Sequence, residues 1–237
     1  MKKSISGKTA LISGAGAGLG KAIALRLASL GVNLILCGRN LTSLNETKEE
    51  CAKNVDIQIY EVDVKNEESV QSLMKKIDTL DYLINNAGIS ILHPFEEIPV
   101  EVFDETYATN VRGPFMMSKY ALPLLRKSEV PTIINVGSVT SHTGYLNQCA
   151  YTASKHALLG MSKVMAKEFN KEDIRVHVLC PGGFLTEMMI KNRPDLLDEP
   201  NMLPEDMVDI IEFWLTHRSN AVIDQINVHR VSKEPFL

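Results

Sequence analysis

Thr9-Ala-Leu-Ile-Ser13-Gly14-Ala-Gly16-Ala17-Gly18-Leu19-Gly20 is the stretch on which the architecture turns. Thr9–Ser13 is a short apolar run with the length of a buried strand. From Gly18 to Leu30 the apolar residues Leu19, Ile23, Leu27 and Leu30 recur with a helical period. A glycine-rich turn between a strand and a helix brings free N–H groups and the positive end of the helix dipole together. A phosphate can sit there. Glycine also lets the backbone approach a ligand closely. The turn is not Gly-x-Gly-x-x-Gly, because the third glycine would fall at Leu19 or Lys21. It is not a P-loop either, since Lys21 would need glycine at 15 and Ser or Thr at 22, and both are alanine. What remains is Gly14-x-x-x-Gly18-x-Gly20.

The same alternation continues outward from this unit. Strands are predicted at Val32–Cys37, Ile57–Val62, Tyr82–Ile84, Thr132–Val136, Ile174–Leu179 and Asp224–Val231. Between them the helical stretches are Leu41–Lys53, Glu67–Ile77, Glu101–Leu125, Ala150–Phe169 and Glu205–Thr216. The long Glu101–Leu125 stretch is expected to bend near Gly113-Pro114. Regular β-α-β alternation predicts an α/β fold, a parallel sheet with helices on both faces. Strands that are apolar at nearly every position, such as Val32–Cys37, fit burial on both sides. Lys191–Pro204, with three prolines and mixed charge, reads as a loop over a site.

Composition narrows the class. At 237 residues, 45% of them apolar, the chain can bury a large core without disulfides or metals. The net charge of −4 argues against a nucleic-acid coat or an anionic membrane surface as partner. Cys37, Cys51, Cys149 and Cys180 form no C-x-x-C pair, and the six histidines lack metal-ligand spacing, so no metal is expected. No apolar run approaches the ~18 residues of a membrane span. The apolar run after Met1-Lys2-Lys3 is too short for a signal peptide. A cytoplasmic protein is the expectation.

Chemistry gathers later in the chain. Tyr151 and Lys155 stand at i and i+4, on one face of a helix. An ammonium beside a phenol, together with a cationic ring of a bound cofactor, would lower the tyrosine pKa from its usual ~10 and suit it to proton transfer. Gly137-Ser138 closes the fifth strand, at the sheet edge where open parallel sheets place ligands. Ser138 can hold a carbonyl oxygen. Asn110 is a further candidate in the preceding helical stretch. Near the end of the second strand, about where an acidic residue would bind a ribose hydroxyl, the sequence has Gly38-Arg39; a guanidinium there favours a 2′-phosphate.

Taken in order, these motifs resemble the short-chain dehydrogenase/reductase family over about Lys8–Met188. Ser13-Gly14…Gly18-Leu19-Gly20 resembles its cofactor loop, with Gly16 and Ala17 inside it. Asp63-Val64 resembles the acidic pair that contacts adenine, and Asn85-Asn86-Ala87-Gly88 its central-strand motif. Asn110, Ser138, Tyr151 and Lys155 fall where its catalytic tetrad stands. Pro181-Gly182 and Thr186 match its nicotinamide segment. The resemblance implies a Rossmann-type doubly wound, seven-stranded parallel sheet in a single domain, 1–237, with a substrate loop at about 184–204. It implies hydride transfer between NADP(H), or alternatively NAD(H), and a carbonyl or secondary alcohol. Tyr151 would move the proton, Ser138 orient the substrate oxygen, Lys155 bind the ribose and tune Tyr151, and Asn110 hold a relay water. Tyr151 and Lys155 thus also belong to the cofactor set.

The favoured activity is a ketone or 3-oxoacyl reductase, resembling 3-oxoacyl-carrier-protein reductases. Alternatives are an alcohol, sugar or steroid dehydrogenase and, in a different class, a non-catalytic NADP-binding redox sensor. Ala157 at Tyr151+6 disfavours an enoyl reductase. A homo-oligomer, dimer or tetramer, is expected. Three departures stand out: Ala17 where many NADP-preferring relatives carry a basic residue, Gly183-Phe184 after Pro181-Gly182, and a tail reading Asn227-Val-His-Arg-Val231 where the family often has Asp-Gly-Gly.

Overall fold

The computed structural model describes residues 3–233 except 193, 195, 196 and 199. Its strands are β1 (Thr9–Ser13), β2 (Asn33–Gly38), β3 (Ile57–Glu61), β4 (Tyr82–Asn85), β5 (Thr132–Val136), β6 (Arg175–Pro181) and β7 (Gln225–Val228). All pair in parallel in one sheet of order β3-β2-β1-β4-β5-β6-β7. The helices are α1 (Gly18–Ser29), α2 (Leu41–Glu50), α3 (Glu67–Met74), α4 (Val100–Tyr107), α5 (Gly113–Leu125), α6 (Cys149–Phe169), α7 (Glu187–Asn192) and α8 (Pro204–Thr216). The Rossmann-type α/β expectation is thereby met.

Side chains alternate across each strand, so neighbouring residues serve opposite cores. Ile12, Leu34, Leu36 and Ile134 pack with Ile23 and Leu27 of α1 and Ile211 and Trp214 of α8. Leu11, Ile35, Leu83 and Ile133 pack on the other face with α3, α5 and α6 through Leu73, Met117, Leu125 and Met165. Strand order reverses between β1 and β4, which opens a crevice at the carboxyl edge of the sheet.

Three local expectations are revised. The break expected at Gly113-Pro114 lies just before it, as a π-helical turn over Ala108–Arg112. Its cause is distant: the Asn110 amide accepts from Ile89 N–H (2.9 Å) and donates to Ile89 C=O (2.9 Å) and Ser154 Oγ (3.0 Å). Those bonds draw Asn110 inward and widen the helix. The stretch read as loop begins instead with α7, started at Thr186, whose hydroxyl accepts from Met189 N–H (3.2 Å). Arg193, Asp195, Leu196 and Glu199 of the expected loop lie outside the described residues, as do Met1, Lys2 and the tail from Glu234 to Leu237. Finally, the last strand is shorter than Asp224–Val231, because β7 pairs with β6 only as far as Pro181.

His177 of β6 shows how the α8 face is closed. Its ring is 2% exposed and stacks on Trp214 at 4.9 Å. Nδ1 of His177 and Nε1 of Trp214 both donate to the Ile223 carbonyl, each at 2.9 Å. Burial, only partly offset by the Ile223 hydrogen bond, pushes the imidazole pKa down to about 4, with Arg175 and Arg218 adding to the fall. The unfolded chain protonates this group near its ordinary ~6.5, whereas the folded one resists to about 4. Between those values the unfolded state binds more protons, so stability falls as pH drops. Urea unfolding is expected to lose about 3 kcal/mol through this group on acidification across that window. In His177→Phe that component of the pH dependence should vanish; an identical pH profile would refute it.

Candidate active site

The crevice at the β1/β4 switch runs into a cavity of about 1090 Å³. At one end its wall is the turn between β1 and α1. Gly14 has φ +66° and Gly18 φ +52°, left-handed conformations that side chains disfavour. A Cβ on Gly20 would come 2.2 Å from the Gly14 carbonyl, and one on Gly16 2.3 Å from Ser43 Oγ. The turn is therefore held tight by α2 and by its own backbone. Ala17 caps α1 without a side-chain hydrogen bond, so the first-turn N–H groups face the crevice unblocked. Ser13 Oγ accepts from Asn86 N–H and Ala87 N–H, each at 3.1 Å, and pins this turn to the end of β4. Asn86 Nδ2 donates to the Ser13 carbonyl (3.0 Å). Such a turn fits a dinucleotide diphosphate, since bare backbone and donors meet it where a Cβ would not fit.

At the other end β5 delivers Ser138 and α6 delivers Tyr151 and Lys155. The Lys155 ammonium is 4% exposed and donates to the Val136 carbonyl at 2.7 Å. It lies 5.6 Å from the centre of the Tyr151 ring. Burial lowers the Lys155 pKa to about 8. Burial raises that of Tyr151, partly countered by a hydrogen bond with the Ser138 hydroxyl. The lowering expected from Lys155 together with a bound cationic ring belongs to the cofactor-loaded site; for the chain alone the shift runs upward. The chain by itself keeps the phenol protonated because desolvation outweighs the one hydrogen bond.

Of the residues singled out from the sequence, Gly14, Ala17, Gly18, Leu19, Arg39, Asn86, Ala87 and Gly88 line this cavity. Ser138, Tyr151, Lys155, Pro181, Gly182 and Thr186 line it too. Ser13, Gly16, Gly20 and Asn110 stand behind the wall. A Cβ on Gly88 would sit 3.3 Å from Asn110 Oδ1 and 3.7 Å from Lys155 Nζ, so both groups flank that glycine from below. Asp63 and Val64 do not line it. Asp63 accepts from Lys65 N–H (2.9 Å), and Val64 packs against Gly113.

A family model described as short chain dehydrogenase matches residues 8–197. The chain belongs to the short chain dehydrogenase family. It is an NAD(P)-dependent oxidoreductase. An L-xylulose reductase of Mesocricetus auratus is 30% identical over 231 residues, 93% of each chain. A 3-oxoacyl-(acyl-carrier-protein) reductase of Thermotoga maritima is 30% identical over 236 residues, 94% of this chain and 96% of the relative. The solved structure of levodione reductase superimposes with a TM-score of 0.86 at 26% identity, covering 94% and 96% of the two chains.

Several cavity residues of this short chain dehydrogenase were not singled out from its sequence. Ser90 and Leu92 enter because the segment after β4 runs along the crevice, bridged to Gln148 at His93. Arg230 and Lys233 enter because β7 ends at the same sheet edge. A parallel seventh strand was the available signal, since it must deliver the residues after it to that edge. Replacing Ser138 with alanine removes the hydrogen bond that partly offsets the burial-driven rise of the Tyr151 pKa. The phenolate absorbance of Tyr151, read as the difference from Tyr151→Phe, is expected to appear at still higher pH in Ser138→Ala. An unmoved titration would show that the two hydroxyls do not communicate.

Proposed function

We propose that this enzyme reduces a ketone or 3-oxoacyl carbonyl with NADP(H) as its preferred dinucleotide, through Tyr151, Ser138, Lys155 and Asn110. The observation that carries this reading is one continuous cavity with the glycine turn at one end and Tyr151, Ser138 and Lys155 at the other. A bound nicotinamide supplies the hydride, or accepts it in the reverse direction.

Ser138 donates a hydrogen bond to the substrate carbonyl oxygen and holds it beside Tyr151. Tyr151, kept protonated by burial, gives its phenolic proton to that oxygen as negative charge develops. Lys155, with its pKa drawn down to about 8, can exchange protons near neutrality and reprotonate the phenol. Asn110 fixes the floor: both amide hydrogens go to Ile89 and Ser154, and Oδ1 keeps a lone pair for a relay water. Gly14–Gly20 and Asn86–Gly88 would hold the dinucleotide, with Pro181, Gly182 and Thr186 at its nicotinamide end. Asp63 and Val64 would reach its adenine only beyond the cavity proper.

Arg39, exposed on the cavity wall after β2, supports NADP(H) through a charge-assisted bond to a 2′-phosphate. We read the chain as one cytoplasmic domain, 1–237, that assembles as a homo-oligomer. The exposed Phe115 of α5 and Val164 of α6 support pairing through those helices.

Tyr151→Phe is expected to bind NADPH as the wild type does and to lose about 100-fold or more in turnover. Unchanged turnover on a ketone panel would remove Tyr151 from the chemistry, and tight NADPH binding with no turnover by the wild type would favour a sensor. Arg39→Ala is expected to raise KM for NADPH by about tenfold or more while leaving that for NADH nearly unchanged. An equal effect on both would remove the case for NADP(H).

A further inference from the structure

Gln148 shares the cavity with the catalytic groups, and the fold makes no use of its side chain. It stands at the N-cap of α6, yet that side chain makes no capping hydrogen bond. It is half-buried and lines the same cavity as Ser138 and Tyr151. Among the described residues its amide has no hydrogen-bond partner. The backbone, by contrast, is pinned. The Gln148 N–H donates to the Tyr145 carbonyl at 3.3 Å, and the Gln148 carbonyl accepts from Thr152 N–H at 2.7 Å. A β-bridge to His93 holds the residue from the other side. Only the side-chain torsions are left to adjust.

Position decides what the amide can meet. The bond from Thr152 N–H makes Gln148 part of the first turn of α6. Gln148 and Tyr151 therefore stand at i and i+3 on one helix face, with Cβ atoms about 5–6 Å apart. A group held by the amide lies beside a carbonyl held at Tyr151. The neighbouring wall has the same neutral polar character. Ser90 Oγ, Tyr145 Oη and Asn192 Oδ1 belong to cavity-lining residues and have no hydrogen-bond partner among the described residues. Asn192 Nδ2 donates to the Ser90 carbonyl at 2.9 Å and so joins the end of α7 to the segment after β4.

An amide that faces an open cavity is met by solvent. A substrate that fills the cavity displaces that solvent. An alkyl group set against Gln148 would leave the amide unpaired, at a cost larger than the gain from an ordinary hydrogen bond. A hydroxyl both donates and accepts, as the amide does, and restores the pairing. We propose that Gln148 is a specificity-determining residue that selects ketones bearing a hydroxyl on the carbon next to the carbonyl. The proposal rests on the reading of Ser138 and Tyr151 as the place of the reacting carbonyl.

The test compares hydroxyacetone with butanone, which differ by a hydroxyl in place of a methyl, under saturating NADPH or, if that is the dinucleotide used, NADH. The readout is the ratio of their kcat/KM values in the wild type and in Gln148→Met. The methionine keeps an unbranched side chain and removes both polar atoms. Because the two ketones differ in intrinsic reactivity, the change in the ratio carries the result. The ratio is expected to fall about tenfold in Gln148→Met, the size of one hydrogen bond lost. Gln148→His, which keeps a donor and an acceptor, should restore part of it. A purely structural role at the helix cap would slow both ketones alike, and an unchanged ratio overturns the proposal. If neither ketone is reduced, the reading of the catalytic groups fails separately, and saturation-transfer NMR on the dinucleotide-loaded chain decides. Hydroxyacetone binding that exceeds butanone binding and is lost in Gln148→Met upholds the role of Gln148. Equal binding of both ketones, a preference that survives in Gln148→Met, or binding of neither overturns it.

Discussion

The Lys155 ammonium, nearly out of water, donates to the Val136 carbonyl, and the geometry of the site depends on that bond. A buried cation is costly unless it is well met. Here it is met by the last carbonyl of β5, so α6 is fixed against the sheet at the point where β5 ends. Tyr151, one turn earlier on α6, then hangs over the crevice, and Ser138, two residues past Val136, stands beside it. Glycine at 137 lets this close without crowding, since a Cβ there would come 3.0 Å from Cys180 Sγ and 3.2 Å from the Leu179 carbonyl and push both neighbours back. Burial of the lysine and exposure of the tyrosine edge to the cavity are thus consequences of one register.

Further polar bonds inside the fold hold the same register. Asn135 Nδ2 donates to Ser162 Oγ at 2.8 Å, and Asn135 Oδ1 accepts from Asn85 Nδ2 at 2.8 Å. These bonds link β4, β5 and α6 through the buried interior, where hydrogen bonds are directional in a way apolar packing is not. Asn110 extends the pattern by tying its π-helical turn to Ile89 and Ser154. The wide turn is unfavourable as local backbone, and it persists because the amide makes three bonds that a regular helix would not bring within reach.

The degree to which the sequence exposes this molecule follows the range of the forces involved. The strands were legible because doubly buried strands are near-continuous apolar runs, as Val32–Cys37 and Thr132–Val136 are but for one or two polar positions each. Tyr151 and Lys155 were legible because a helix brings i and i+4 together without help. The π-helical turn was not, because its cause, Ile89, lies 21 residues away and Gly113-Pro114 is a louder local breaker. Helix α7 was hidden by the prolines and mixed charge that come after it. Asp63 also forms a local turn by accepting from Lys65 N–H, a second role that its match to a motif does not announce.

The tail illustrates the same limit from the other side. Nothing local in His229-Arg230-Val231-Ser232-Lys233 marks a cavity wall. A parallel β7 beside β6 forces it, because parallel strands end on the same edge as their neighbours and that edge is where the crevice lies. The sheet therefore assigns positions along the cavity by strand order: glycine turn after β1, Ser138 after β5, Gly182 after β6, basic tail after β7. The groups nearest the switch point meet a fixed cofactor and are constrained in backbone conformation, as Gly14 and Gly18 show. Those farther along carry no such backbone demand. Side chains there can change while the dinucleotide end stays intact, which is how one scaffold, at about 30% identity, carries relatives named for L-xylulose and for a 3-oxoacyl group on a carrier protein.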